Sequence, residues 1–173
     1  MCVMKFLEVN GKNLEEFYYY EHDKSLNLSI AKLCPNLKKL FVIFNEGEIG
    51  ILRDIFNSCQ YLESIRIWCG RDYLDEKEML DVVVASSQKN FYELKIYNDS
   101  DSELLSEDLE SFFVSWKDRI PRKSLSLIII EGVYHSLEKD ENNMKMIQKY
   151  KSLGVIKKFE IKDFQIEDEE SYT

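Results

Sequence analysis

The chain has 173 residues, with 23 basic against 32 acidic side chains and a formal charge of -9. Apolar residues at 45% and charged ones at 32% exclude bulk disorder and a membrane-embedded body. The acidic balance, with basic residues only in pairs such as Lys38-Lys39, Arg122-Lys123 and Lys157-Lys158, argues against a nucleic-acid partner.

Taken in chain order, the elements alternate. An apolar half-helix over Val3 to Val9 comes first, too short for a signal h-region or a spanning segment and interrupted by Lys5 and Glu8. Leu14, Phe17 and Tyr19 then set a pattern of apolar, two variable, apolar, one variable, apolar, which predicts a strand. It recurs at Leu37, Leu40 and Val42; at Leu62, Ile65 and Ile67; at Phe91, Leu94 and Ile96; in degraded form at Ser124, Leu127 and Ile129; and at Ile156, Phe159 and Ile161. The second anchors fall at 17, 40, 65, 94, 127 and 159, and each interval holds one strand and one helix.

Between the strands the apolar period lengthens to about 3.6, as helices require. The stripes are Leu26 to Leu33, stopped by Pro35; Ile49, Leu52, Ile55, Phe56 and Cys59; Met79, Leu80, Val83 and Val84; Leu109, Phe112, Phe113 and Trp116; and Met144, Ile147 and Tyr150. Ser106 is the expected N-cap of the Leu109 helix, and Gly154 the left-handed stop of the last. Units of this kind stack into a solenoid with a parallel sheet on one side and helices on the other. Pro121 and the long flanking intervals make the fifth unit the least regular, and the apolar run Leu125 to Ile130 leaves its register open by one residue. The array occupies 1–166 as one domain, and 167–173, with Glu167-Asp168-Glu169-Glu170, reads as an acidic disordered tail.

The segment Ala31-Lys32-Leu33-Cys34-Pro35-Asn36-Leu37-Lys38-Lys39-Leu40 resembles the cysteine-containing leucine-rich repeat, and Phe56 to Ile65 repeats it with Gln60 in place of proline. The chain as a whole resembles the arrays of fungal-type F-box proteins, although no F-box is recognisable in it. The resemblance implies a right-handed α/β superhelix of about six repeats, with the sheet on the concave face and helices on the convex face. It further implies a non-enzymatic substrate-binding array of a ubiquitin ligase component, meeting the ligase adaptor only if an F-box is supplied elsewhere.

In such a strand the anchors point inward and the positions beside them display outward. Three rows result: Tyr18, Phe41, Arg66, Lys95, Ile128 and Glu160; Tyr20, Ile43, Trp68, Tyr97, Ile130 and Lys162; and Glu16, Lys39, Ser64, Glu93, Ser126 and Lys158. Tyr18, Tyr20, Phe41, Ile43, Arg66, Trp68, Lys95 and Tyr97 are the candidate protein-binding residues, because Trp, Tyr and Arg dominate binding hot spots. The same composition also serves strand propensity, or another segment covers this face.

Catalysis has little support. His22 and His135 lie far apart with no nucleophile motif beside either, and Gly47 and Gly50 make no phosphate loop. No cofactor or metal is expected: Cys2, Cys34, Cys59 and Cys69 have no zinc spacing, and Asn98 to Glu103 lacks the glycine and distal glutamate of a calcium loop. Cys34 and Cys59 hold equivalent positions and read as small buried thiols, which favours a reducing, cytoplasmic or nuclear location. The triplets Asn27-Leu28-Ser29 and Asn98-Asp99-Ser100 match glycosylation sites by chance. The rival expectation is a truncated structural fragment that self-associates through the apolar edge Val3 to Val9.

Overall fold

The computed structural model describes residues 3–120 and 123–164, so the expected acidic tail and Pro121 lie outside the described residues. It is an α/β fold in which six parallel strands stand in sequence order, β1 (Glu16–His22), β2 (Lys39–Ile43), β3 (Ser64–Cys69), β4 (Glu93–Asn98), β5 (Leu125–Glu131) and β6 (Ile156–Asp163). A helix precedes each: α1 (Val3–Asn10), α2 (Lys24–Leu33), α3 (Ile49–Ser58), α4 (Glu76–Ser86), α5 (Ser106–Lys117) and α6 (Glu141–Ser152). Successive helices pack side by side from α1 to α6.

Three helices, α2, α4 and α6, start where a short acidic side chain can take up free backbone N–H groups. Asp23 accepts from the Leu26 amide at 3.0 Å, Asp75 from Glu78 at 2.8 Å, and Asp140 from both Asn142 and Asn143. For α5 the cap differs from expectation. Leu105 holds the N-cap position and Ser106 is already helical, because Asp108 reaches back to accept the Leu105 N–H at 3.2 Å. Gly154 ends α6 at φ +69°, the left-handed conformation its position predicts.

β2, β3 and β4 are entered through the same backbone step. The Lys38 amide donates to the Glu15 carbonyl, Glu63 to Lys38, and Tyr92 to Glu63, so the loops stack as regularly as the strands. The anchors then turn toward the helices: Phe17, Leu40, Val42, Ile65, Ile67, Leu94, Ile96, Leu127 and Ile129 join one core with Leu26, Ile30, Leu52, Ile55, Val83, Phe113 and Ile147. Burying one such side chain is worth about 1.5–3 kcal/mol, which is why a three-anchor signature suffices to hold a unit. Cys34 and Cys59 are fully buried at the foot of α2 and α3, and the Cys59 thiol donates to the Cys34 carbonyl at 3.2 Å. Burial pushes the two thiols up to about 11 and about 12, leaving both protonated and unreactive.

The fifth strand aligns on Leu127, which pairs with Leu94 and Phe159, and its one irregularity falls between Leu125 and Ser126. The last anchor departs from the pattern. Ile161 is 46% exposed, because β6 is the edge of the sheet and no described helix follows it. Among the described residues no helix is long and apolar enough to cross a membrane.

Candidate functional site

Side chains alternate along a strand, so every anchor facing the helices leaves neighbours on the opposite face of the sheet. Backbone register assembles the expected rows there. Tyr18 stands beside Phe41, Phe41 beside Arg66, Arg66 beside Lys95, Lys95 beside Ile128 and Ile128 beside Glu160. Trp68, Tyr97, Ile130 and Lys162 form the second row. Its first part is displaced: the register of β1 on β2 shifts between Tyr18 and His22, so Ile43 lies opposite His22 and not Tyr20.

The rings nevertheless make a continuous chain across four strands. Tyr20 meets Phe41 edge-on at 4.9 Å between centroids, Phe41 reaches Trp68 at 6.0 Å, and Trp68 reaches Tyr97 at 4.9 Å. Such pairs add about 0.5–1.5 kcal/mol each beyond the area they bury. The Arg66 guanidinium carbon sits 4.7 Å above the Phe41 ring. A cation over a ring face gains from the ring's quadrupole, the more so away from water.

Burial on this face departs from an open, displayed surface. Phe41 is fully buried, Ile43 and Arg66 are each 5% exposed, and Ile128 and Ile130 are covered as well. Tyr18, Tyr20, Trp68, Lys95 and Tyr97 are half-buried. Phe41, Ile43, Ile128 and Ile130 stand outside the helix-side core, so the sheet carries a second apolar cluster on its other face.

Two residues that sequence reasoning missed help to make that cluster. Phe164 follows β6 and places its ring 5.3 Å from Tyr97 and 6.2 Å from Trp68, with the Arg66 guanidinium 5.5 Å above it. Glu160, Lys162 and Phe164 are two apart, so extending the alternation of β6 by one step places Phe164 on this face. Tyr73 stands edge-on to Trp68 at 5.3 Å. It gets there through a tight turn in which the Tyr73 amide donates to the Gly70 carbonyl and the Gly70 amide to Leu74. Gly70 has φ +127°, and a Cβ there would meet the Asp99 side chain at 2.2 Å, so only glycine allows the turn.

Charges frame the aromatic strip. Lys39 bridges to Glu16 at 2.9 Å, and the Tyr18 hydroxyl donates to the same carboxylate at 3.1 Å. The hydrogen bond from Lys39 holds the Glu16 carboxyl below the usual carboxylate range against the opposing effect of burial. Further along the row, Ser64 donates to Glu93 at 2.8 Å with Lys95 4.0 Å away, and Lys158 pairs with Glu160 at 3.0 Å. Burial pushes the Tyr73 and Tyr97 hydroxyls up, so both stay neutral donors at physiological pH.

The other candidate features settle into structural roles. His22 lies 3.1 Å from both Glu48 carboxylate oxygens, and Glu48 also accepts the Asn45 amide, which ties the end of β1 to the start of α3. His135 lies beyond β5, four strands away, with its ring 3.9 Å from Asp101. An acidic cleft of about 480 Å³ opens beyond β3 and β4 between Glu46, Arg71, Tyr73, Asp75 and Asp101. At its floor Glu76 accepts from the Ser102 hydroxyl at 2.8 Å and the Glu103 amide at 3.2 Å, and burial raises its pKa despite them. Among the described residues no group of three or more His, Cys, Asp and Glu side chains is placed to hold a metal ion. Both asparagines of the glycosylation triplets are buried, Asn27 donating to the Ile43 carbonyl at 2.8 Å, so neither is available to a glycosyl donor.

Compared with protein-family models, curated proteins and solved structures, the chain matches none of them.

Proposed function

We propose that this chain is a non-enzymatic protein-recognition array of the leucine-rich-repeat type, whose helix-free, concave face takes up a peptide or protein segment. The observation that carries the reading is the unbroken ring chain Tyr20, Phe41, Trp68 and Tyr97, with Arg66 set among the rings, on the face where the repeats place their variable positions. Aromatic and arginine side chains in a desolvated strip are the usual anchors of a protein interface. By its resemblance to fungal-type F-box arrays, the recognised segment would belong to a substrate for ubiquitination, with the F-box supplied elsewhere.

The half-buried rings are the ones to vary. Affinity capture from the native cell with the wild-type chain, Trp68→Ala and Tyr97→Ala, scored for specific partners including adaptor and cullin, tests the reading. Captured partners should be lost from both variants while their melting remains cooperative. Undiminished capture by both would remove this face from consideration. A second reading, self-association, is favoured by the position of β1 at a sheet edge and by Val9 at 73% exposure. Sedimentation that stays monomeric across concentration would eliminate it.

A further inference from the structure

Segments that follow four successive strands meet at one end of the sheet. Glu46 arrives after β2, Gly70 to Glu76 after β3, Ser100 to Glu103 after β4 and Tyr134 after β5, and between them opens the cleft of about 480 Å³. Five carboxylates line it, Glu46, Asp75, Glu76, Asp101 and Glu103, against one guanidinium, that of the exposed Arg71. A cleft walled by one sign of charge concentrates the field and draws counter-ions, here in a chain whose formal charge is already -9.

The floor distinguishes this cleft from a solvated acidic rim. Glu76 is 7% exposed, and burial raises its pKa, with the Asp75 charge adding to the effect, although Ser102 and Glu103 donate to it. Beside it, Asn98 is 2% exposed and neither its amide oxygen nor its nitrogen makes a hydrogen bond. Its amide is still near enough to help hold the Glu76 carboxyl down. Asp99 Oδ1 is likewise buried without a hydrogen bond, directly behind Gly70 in the cleft wall. Buried polar atoms are nearly always paired, so unpaired acceptors behind an acidic cleft point to a ligand rich in N–H donors.

Two rings narrow the choice of donor. Tyr73 and Tyr134 stand in the cleft walls. A planar guanidinium stacks on a tyrosine face while its fork of N–H groups meets carboxylates, which a compact, strongly hydrated ammonium does less well. Tyr73 also lies edge-on to Trp68 at 5.3 Å. Gly132, two residues before Tyr134, lies against the Tyr97 ring, where a Cβ would come within 2.6 Å. The cleft is therefore continuous with the aromatic strip.

We propose that this cleft binds an arginine side chain of a partner segment whose neighbouring apolar residue lies on the aromatic strip. The inference rests on the helix-free face being the recognition surface, and it names the class of partner: a segment that pairs an apolar residue with an arginine.

N-acetyl-arginine methylamide, titrated into the full chain and followed by NMR, tests the cleft without a native partner. It should shift the Glu103 amide, which donates to Glu76, in a saturable way. The neutral isostere N-acetyl-citrulline methylamide should bind about tenfold more weakly, as should arginine to Glu76→Gln. Glu46→Gln with Glu103→Gln, both exposed, should weaken arginine about threefold and serves if Glu76→Gln fails to fold. The Trp116 indole N–H resonance, whose donor meets the Lys123 carbonyl, should stay in place and report an intact fold. No saturable shift, equal binding of citrulline, or undiminished binding to both variants would overturn the proposal. N-acetyl-Phe-Arg amide against N-acetyl-Ala-Arg amide then reads the strip separately. The phenylalanine should tighten binding, shift the Trp68 indole resonance and lose its gain in Trp68→Ala. Arginine selectivity without that gain would overturn the recognition reading on which the proposal rests, whereas a gain without arginine selectivity would overturn this inference alone.

Discussion

Phe41 decides whether the helix-free face is a display or a second core. It sits on the side of β2 turned away from the helices, yet it is fully buried, with rings of Tyr20 at 4.9 Å and Trp68 at 6.0 Å and the Arg66 guanidinium at 4.7 Å. Truncation to alanine removes the ring and leaves a void that cannot readily collapse, because β2 is pinned between β1 and β3. Phe→Ala at such a site costs about 3–5 kcal/mol. For a domain of this size each kcal/mol lowers Tm by about 2–4 °C, so Phe41→Ala should melt about 6–20 °C below wild type. Phe41→Leu, which keeps most of the volume, should cost less than about 1.5 kcal/mol, and Val9→Ala, at a 73% exposed position, within about 0.5 kcal/mol. Urea unfolding with matched m-values measures all three. A Phe41→Ala penalty under about 1 kcal/mol would refute the idea that this face has cohesion of its own, and would return Phe41 to the list of freely displayed contacts.

Two further predictions probe the scaffold. Gly154 has φ +69° and open space where a Cβ would go, so Gly154→Ala should cost only the left-handed backbone penalty, about 1 kcal/mol, seen as a fall in Tm of about 2–4 °C; no fall would show that the last helix stops without it. Glu76 has a pKa raised by burial, so the folded state holds its proton more tightly than the unfolded chain does, and its contribution to stability is present below the unfolded value and lost as pH rises through the folded one. Glu76→Gln should therefore gain on wild type as pH is raised from 4 to 7 in parallel urea titrations, and a constant difference would contradict the assignment.

The repeat lattice was readable because its cause is local. Three anchors per unit at fixed spacing are enough to set strand direction, and the six predicted strands and their helices are all found; the register of the fifth strand, left open by its unbroken apolar run, is set by pairing of Leu127 with Leu94 and Phe159. The α5 cap was misplaced by one residue since Ser106 and Asp108 both offer capping oxygens, and which one acts depends on where the Leu105 amide points. The shift between Tyr18 and His22 was equally hidden, because β1 outruns the five residues of β2 and nothing in the alternation says where pairing ends.

Burial on the helix-free face was the larger gap, and its origin is physical. Alternation assigns a side chain to a face but says nothing about what lies above that face, and the aromatic composition that marks a binding strip also builds a core. The distinguishing signs come from outside the repeats: Tyr73 arrives through the Gly70 turn, and Phe164 arrives from beyond the last strand. Neither belongs to an anchor position, so no periodicity within the signature points to them. A surface assembled in this way can bind a partner only by exchanging one set of apolar and charged contacts for another. On the proposed reading, affinity for a partner is then the difference between two sets of contacts, and the apparent dissociation constant rises as the inverse of the fraction of time the face is open. On the proposed recognition reading, Trp68→Ala should then abolish partner capture.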